Sequence, residues 1–202
     1  MLGRSISPKS SSNNRPKSSP KKPQRRRLQI NLKVFHISTA GTEPKVKSRG
    51  ALLVNIDRAQ TVRKYWSLFN SHDLEGCAEF LTNDCEVVLE DDCELPWHEM
   101  KIEFEGLFQS FPDIRFPYQK LEVKDNGMII IQEMVASGTH TGKPFACFAC
   151  ESIQASGKSV QNDPESITFH FRDDKICKIV GKGEGAIGPA GIYTQIGGFP
   201  LV

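Results

Sequence analysis

The chain has 202 residues, 38% hydrophobic and 25% charged, with a net charge of +2, which points to one domain with a tail. The charge is unevenly divided: residues 1–50 hold 13 Lys and Arg against one acid, Glu43, which leaves 13 bases and 23 acids for residues 51–202. No apolar run approaches the ~18–20 residues that span a bilayer, so a helical membrane span is excluded and no membrane partner is expected.

Residues 1–50 form the first region. Residues 1–27 are mainly Ser, Pro, Lys, Arg and Asn, too poor in apolar surface to offset the entropy of ordering, so a disordered basic arm is expected. Its Ser- and Arg-rich, acid-poor character reads as an organelle transit peptide, for a plastid or a mitochondrion. The run Lys21-Lys22-Pro23-Gln24-Arg25-Arg26-Arg27 also fits a nuclear localisation signal or a nucleic-acid patch, and a solvated cytoplasmic tail is the third reading. No secretory signal is expected. All six cysteines lie beyond the arm and read as reduced, small hydrophobes.

Ile56, Ala59, Val62, Trp66 and Phe69 recur at helical spacing and predict a helix over 55–70. Asp73 suits the N-cap of a short second helix with Leu74, Cys77, Ala78 and Leu81 on its buried side. A strand follows at 85–89. Pro96 suits the first turn of a third helix, whose stripe is Trp97, Met100, Phe104, Leu107, Phe108 and Phe111. The period then changes from 3.6 to 2, predicting strands at 115–124, 128–139, 144–154, 164–172 and 175–181. Asp125-Asn126-Gly127 is a turn between the first two. Helices first and strands after them argue for α+β with an antiparallel sheet, built over residues 51–182. Residues 183–202, rich in Gly and Pro, read as a C-terminal tail.

Four strings then stand out in order: Tyr65-Trp66-Ser67-Leu68-Phe69-Asn70-Ser71-His72-Asp73, Phe111-Pro112-Asp113-Ile114-Arg115, Gly138-Thr139-His140-Thr141-Gly142, and Phe171-Arg172-Asp173-Asp174-Lys175-Ile176. Together they resemble SnoaL-like (polyketide cyclase-like) proteins, a branch of the nuclear-transport-factor-2-like superfamily, over about residues 55–182. The resemblance implies a cone-shaped α+β barrel of three N-terminal helices packed on a curved, mainly antiparallel sheet, with a pocket between them and a homodimer through the outer sheet face. It also implies an acid/base aspartate just past the last hairpin. That position falls at about Gly181, which has no side chain, and neither Ile179, Val180 nor Lys182 offers a carboxylate. Of the three catalytic groups of the related steroid isomerases, the resemblance preserves the tyrosine, at Tyr65. The base position falls near Leu89, with Glu90 and Asp91 adjacent, and the late-strand acid near Ile167.

The catalytic candidates are therefore Tyr65, Glu133 and His140. Alternation places Glu133 with Ile129, Ile131 and Val135, so it is a buried acid if that face is inward. His140 lies in the Gly-Thr-His-Thr-Gly segment, where the competing role is shaping a hairpin end. His170 alternates against Ile167, Phe169 and Phe171 and should face outward; His98 should be exposed. Tyr65, Trp97, Phe145 and Phe169 are expected to line a pocket or to fill it.

Three motifs are set aside. Cys147-Phe148-Ala149-Cys150 on a strand sends its thiols to opposite faces and lacks two further zinc ligands. Gly183-Glu184-Gly185-Ala186-Ile187-Gly188 lacks the helix and strand of a dinucleotide site. Gly157-Lys158-Ser159 has Ser152 where a phosphate loop needs its first glycine. No cofactor and no metal are expected. The function expected is binding, with or without turnover, of a small apolar or carbonyl-containing molecule. The alternative is a protein-interaction adaptor with a filled pocket. Nucleic acid would be held only by the basic arm, since the acidic domain repels phosphate.

Overall fold

The computed structural model describes residues 49–89 and 94–199, so the basic arm and the run Glu90-Asp91-Asp92-Cys93 lie outside the described residues. Helix α1 runs Arg49–Asn70, starting six residues earlier than the periodicity predicts. Its buried stripe is Ala59, Val62, Tyr65, Trp66 and Phe69, whereas Ile56 is exposed. His72, in the left-handed region at φ 64°, turns the chain. The Asp73 carboxylate then accepts from the backbone N–H of Gly76 at 2.8 Å and starts α2, Leu74–Ala78. Strands β1 (Leu81–Val88) and β2 (Glu94–Pro96) follow, then α3, Trp97–Ser110. Pro96 stands at the α3 N-cap rather than inside its first turn. Every residue of the predicted α3 stripe is buried except Phe104, which is half-buried.

The remaining strands are β3 (Lys120–Val123), β4 (Ile129–Met134), β5 (Ser137–Thr139), β6 (Ser159–Gln161), β7 (Glu165–Arg172) and β8 (Lys175–Gly183). The main sheet has the order β2-β1-β8-β7-β4-β3, and β5 and β6 form a separate two-stranded sheet. All pairs are antiparallel except β1 with β8. Gly127, at φ 80°, closes the β3–β4 turn by donating its N–H to the Lys124 carbonyl. The α+β architecture expected from the resemblance is the one observed, with helices packed on a curved, mainly antiparallel sheet.

Three expectations are corrected. The strand predicted over 128–139 ends at Met134 and is followed by β5 in the separate sheet; within β4, Glu133 adopts φ 53°, the β4–β7 register shifts there, and Met134 takes the inward position. Residues 144–154 are not a strand: Phe145 and Ile153 make one isolated bridge, and Cys147–Cys150 is a turn. The predicted C-terminal tail contains a helix, α4, Gly188–Ile196, which buries Pro189, Ile192, Tyr193 and Ile196. Pro189 suits its first turn, and Gly197, left-handed at φ 108°, ends it.

An aromatic cluster joins helices to sheet. Trp66 donates its indole N–H to the Phe116 carbonyl at 2.8 Å, and Asn70 bridges the Trp66 carbonyl and the Phe116 N–H. Phe69 meets Phe104, Phe108 and Phe116 at centroid distances of 4.9–5.3 Å, within the range of favourable edge contacts.

Candidate functional site

A cavity of about 60 Å³ lies among α1, α3, the sheet and the start of α4. Its wall is almost wholly apolar, with Trp66 and Phe69 from α1, Phe104 and Leu107 from α3, and Ile167 and Ile179 from β7 and β8. Four lining residues carry a side-chain nitrogen or oxygen, Tyr65, Trp66, Trp97 and Glu165, and the Trp66 N–H is already given to the Phe116 carbonyl.

The Tyr65 ring is held edge-on by Trp97 at 6.2 Å and by Phe169 at 5.7 Å. Burial pushes its phenol well above the ordinary tyrosine value, with Cys77 and Cys85 adding to the shift. The hydroxyl therefore keeps its proton and acts as a donor. Trp97 Nε1 is buried and has no hydrogen-bond partner among the described residues. A buried donor left unpaired costs ~1–3 kcal/mol and calls for a reason.

Glu165 opens β7 opposite Gly183 and is 5% exposed. Its Oε1 lies 3.4 Å from the Gly188 N–H at the start of α4. Its Oε2 lies 3.5 Å from the point where a Cβ on Gly181 would stand. The position expected to carry an acid is thus empty of side chain, and a carboxylate from the neighbouring strand fills the space above it. Glu165 was legible: Ile167 and Phe169 define the inward face of β7, and period-2 alternation puts residue 165 on that face.

Of the sequence candidates, the structure brings Tyr65 and Trp97 together at the cavity and leaves the others elsewhere. Phe169 is fully buried behind Tyr65 and does not reach the wall. Phe145 packs edge-on against Phe111 at 5.5 Å and Tyr193 at 6.1 Å, away from the cavity. His140 is fully buried beside it, stacked on Phe111 at 4.8 Å, with its ring nitrogens 3.3 Å from Ser156 Oγ and from the Lys143 carbonyl. Glu133 is exposed, because its left-handed conformation and the register shift within β4 turn it out of the sheet's inward alternation. His170 is half-buried and shares no wall with the cavity; burial lowers its basicity, and Lys178 lowers it further. His98 is exposed. Among the described residues no group of three or more His, Cys, Asp or Glu is placed to hold a metal ion.

The chain is similar to several solved structures. A candidate hydroxylase, AclR of Streptomyces galilaeus, shares 18% identity at a TM-score of 0.57, covering 70% of this chain and 96% of that one. A candidate polyketide cyclase of Xanthomonas campestris shares 17% at 0.55, covering 70% and 98%. A candidate SnoaL-like polyketide cyclase of Jannaschia shares 14% at 0.58, covering 79% and 100%. At such identities the likeness shows the fold. No curated protein matches the sequence. The family model of the SnoaL-like polyketide cyclases matches residues 59–180, from α1 through the last hairpin, and the chain belongs to that family.

Proposed function

We propose that the domain binds a small, mostly apolar organic molecule bearing a carbonyl or similar acceptor in this cavity. The observation that carries the reading is the buried indole N–H of Trp97, unpartnered among the described residues, beside the protonated Tyr65 phenol, in a wall otherwise almost wholly apolar. Apolar walls supply affinity, and a few placed donors fix orientation. A carbonyl oxygen taking both donors would satisfy the Trp97 N–H. The free volume is well below the ~150 Å³ of a cavity that takes benzene, so a ring-sized ligand requires lining side chains to turn on entry.

The family resemblance and the outer face of the main sheet support a further proposal, a homodimer through that face. It carries Ile130, Thr168, His170 and Val180, all half-buried, and pairing of two identical sheets by a two-fold axis covers such a surface.

The test is native mass spectrometry of the purified chain, followed by thermal melts with a panel of cyclic ketones and polyketide esters. A bound small molecule, or a melting rise with a panel member that Tyr65→Phe and Trp97→Phe diminish, supports the reading. A chain without ligand whose melt no panel member shifts overturns it. Turnover of a panel member that Glu165→Gln abolishes, with binding kept, would make the site an enzyme.

A further inference from the structure

We propose that Cys147 and Cys150 form a reversible thiol–disulfide site at the tip of the hairpin closed by the Phe145–Ile153 bridge. On a strand the odd spacing would separate the thiols. The segment is instead a turn: the Cys150 N–H donates to the Cys147 carbonyl at 3.0 Å. The ends of such a four-residue turn lie within about 7 Å between Cα atoms, and a disulfide spans roughly 4.4–6.8 Å.

A second observation marks the same turn. Phe148 holds φ 50°, a left-handed backbone that is an outlier for a bulky residue and concentrates at functional sites. It is fixed there by Glu103 on α3, whose carboxylate accepts from the Phe148 N–H at 3.1 Å. The Phe148 side chain is 38% exposed. The turn is also tied to α4, since Tyr193 donates its hydroxyl to the Glu151 carbonyl at 2.6 Å.

The two thiols differ in access. Cys147 is buried and Cys150 half-exposed. Burial pushes Cys147 up to about 12, helped by Cys150 and Glu103. Cys150 therefore reacts first. Its thiolate attacks one sulfur of a low-molecular-weight disulfide such as oxidised glutathione; the S–S bond breaks, and one glutathione thiolate leaves with the electron pair. Cys147, after losing its proton to water, attacks Cys150 Sγ and expels the second thiolate. Two protein thiols are oxidised, and one glutathione disulfide is reduced to two thiols. Ring closure is the slow step, because so little Cys147 is thiolate near neutral pH.

The reduced full chain is incubated with oxidised glutathione, quenched in acid and mapped by peptide mass spectrometry. The expected product has lost two hydrogen atoms, with Cys147 and Cys150 linked in one peptide, and dithiothreitol restores it. Cys147→Ser should stop at a glutathione adduct on Cys150, and Cys150→Ser should leave the turn unmodified. Closure should quicken about tenfold per pH unit through the neutral range, as the thiolate fraction does. A stable adduct on Cys150 in the unsubstituted chain, or a turn still reduced after Cys177, a half-exposed thiol on β8, has reacted, overturns the proposal; both are read without any variant.

Discussion

Two buried clusters among the described residues use their polar groups differently. At one, Tyr65, Trp97 and Glu165 surround free volume, and Trp97 lacks a partner among the described residues. At the other, Phe111, His140, Phe145 and Tyr193 pack against one another, and the His140 ring and the Tyr193 hydroxyl both have partners. A buried histidine in a motif-like segment looks like chemistry, yet its bonds are spent on holding a hairpin end. A tryptophan on a core helix looks like packing, yet its N–H is unspent among the described residues. Buried polar groups in folded proteins are nearly always paired, so the unpaired group distinguishes a site from a scaffold better than residue type does.

The largest effect should come from the packed cluster. His140→Ala removes a fully buried ring, its stack on Phe111 and two hydrogen bonds. Loss of packing and bonding of this size costs about 2–4 kcal/mol, read as a fall in the denaturant midpoint. Ligand affinity should be unchanged in the fraction that remains folded. A stable His140→Ala with lost binding would reverse the assignment of the two clusters.

A matched pair of tryptophans sharpens the comparison. Trp66→Phe and Trp97→Phe remove the same atoms, but among the described residues only Trp66 spends its N–H, on the Phe116 carbonyl. Trp66→Phe leaves that acceptor without its donor, whereas Trp97→Phe removes an unpaired donor. The first should cost about 1–2 kcal/mol more than the second in urea unfolding without ligand. Equal costs would mean that Trp97 has a partner of similar worth.

Gly181→Ala tests the cavity wall. The new Cβ would stand 3.5 Å from Glu165 Oε2 and from Ile167 Cδ1, and 3.9 Å from Leu89 Cδ2. These are ordinary contacts, so stability should move by less than about 1 kcal/mol. The methyl nevertheless narrows a cavity of only about 60 Å³ beside its carboxylate. Overpacking of a bound ligand should weaken affinity about tenfold or more, measured by calorimetry with whichever panel member binds.

The fold was legible where one physical signal dominates. The helical stripes of α1 and α3, the Asp73 cap and the Asn126-Gly127 turn all follow from local rules. The expectations that missed are those in which backbone geometry overrode composition. Gly188, Pro189 and Gly191 made the C-terminus read as a tail, although Ile192, Tyr193 and Ile196 carry helical spacing between a proline start and a glycine stop. At the site, Tyr65 and Trp97 were legible from helix position. Glu165 falls outside the sequence reading because the expected acid lies on β8, whereas the carboxylate comes from the strand paired with it. Phe145 was misplaced with the strand that does not form.

The smallest effect concerns Glu133, where the alternation failed. An inward Glu133 would be a buried carboxylate, and Glu133→Gln would alter any turnover at the site. The structure exposes it at φ 53°, so Glu133→Gln should leave ligand binding unchanged and shift stability by less than about 0.5 kcal/mol. Glu133→Gly separates the two geometries more sharply. In an extended, regular strand, glycine adds unfolded-state entropy and costs ~0.5–1 kcal/mol. At a left-handed position it also removes a steric strain of ~1–2 kcal/mol. The balance favours glycine here by roughly 0.5 kcal/mol. Chemical denaturation of Glu133→Gln and Glu133→Gly side by side reads the sign. A stabilised glycine variant places the irregularity in β4 at Glu133 and its carboxylate outside the chemistry; a destabilised one restores the regular strand and, with it, an inward acid.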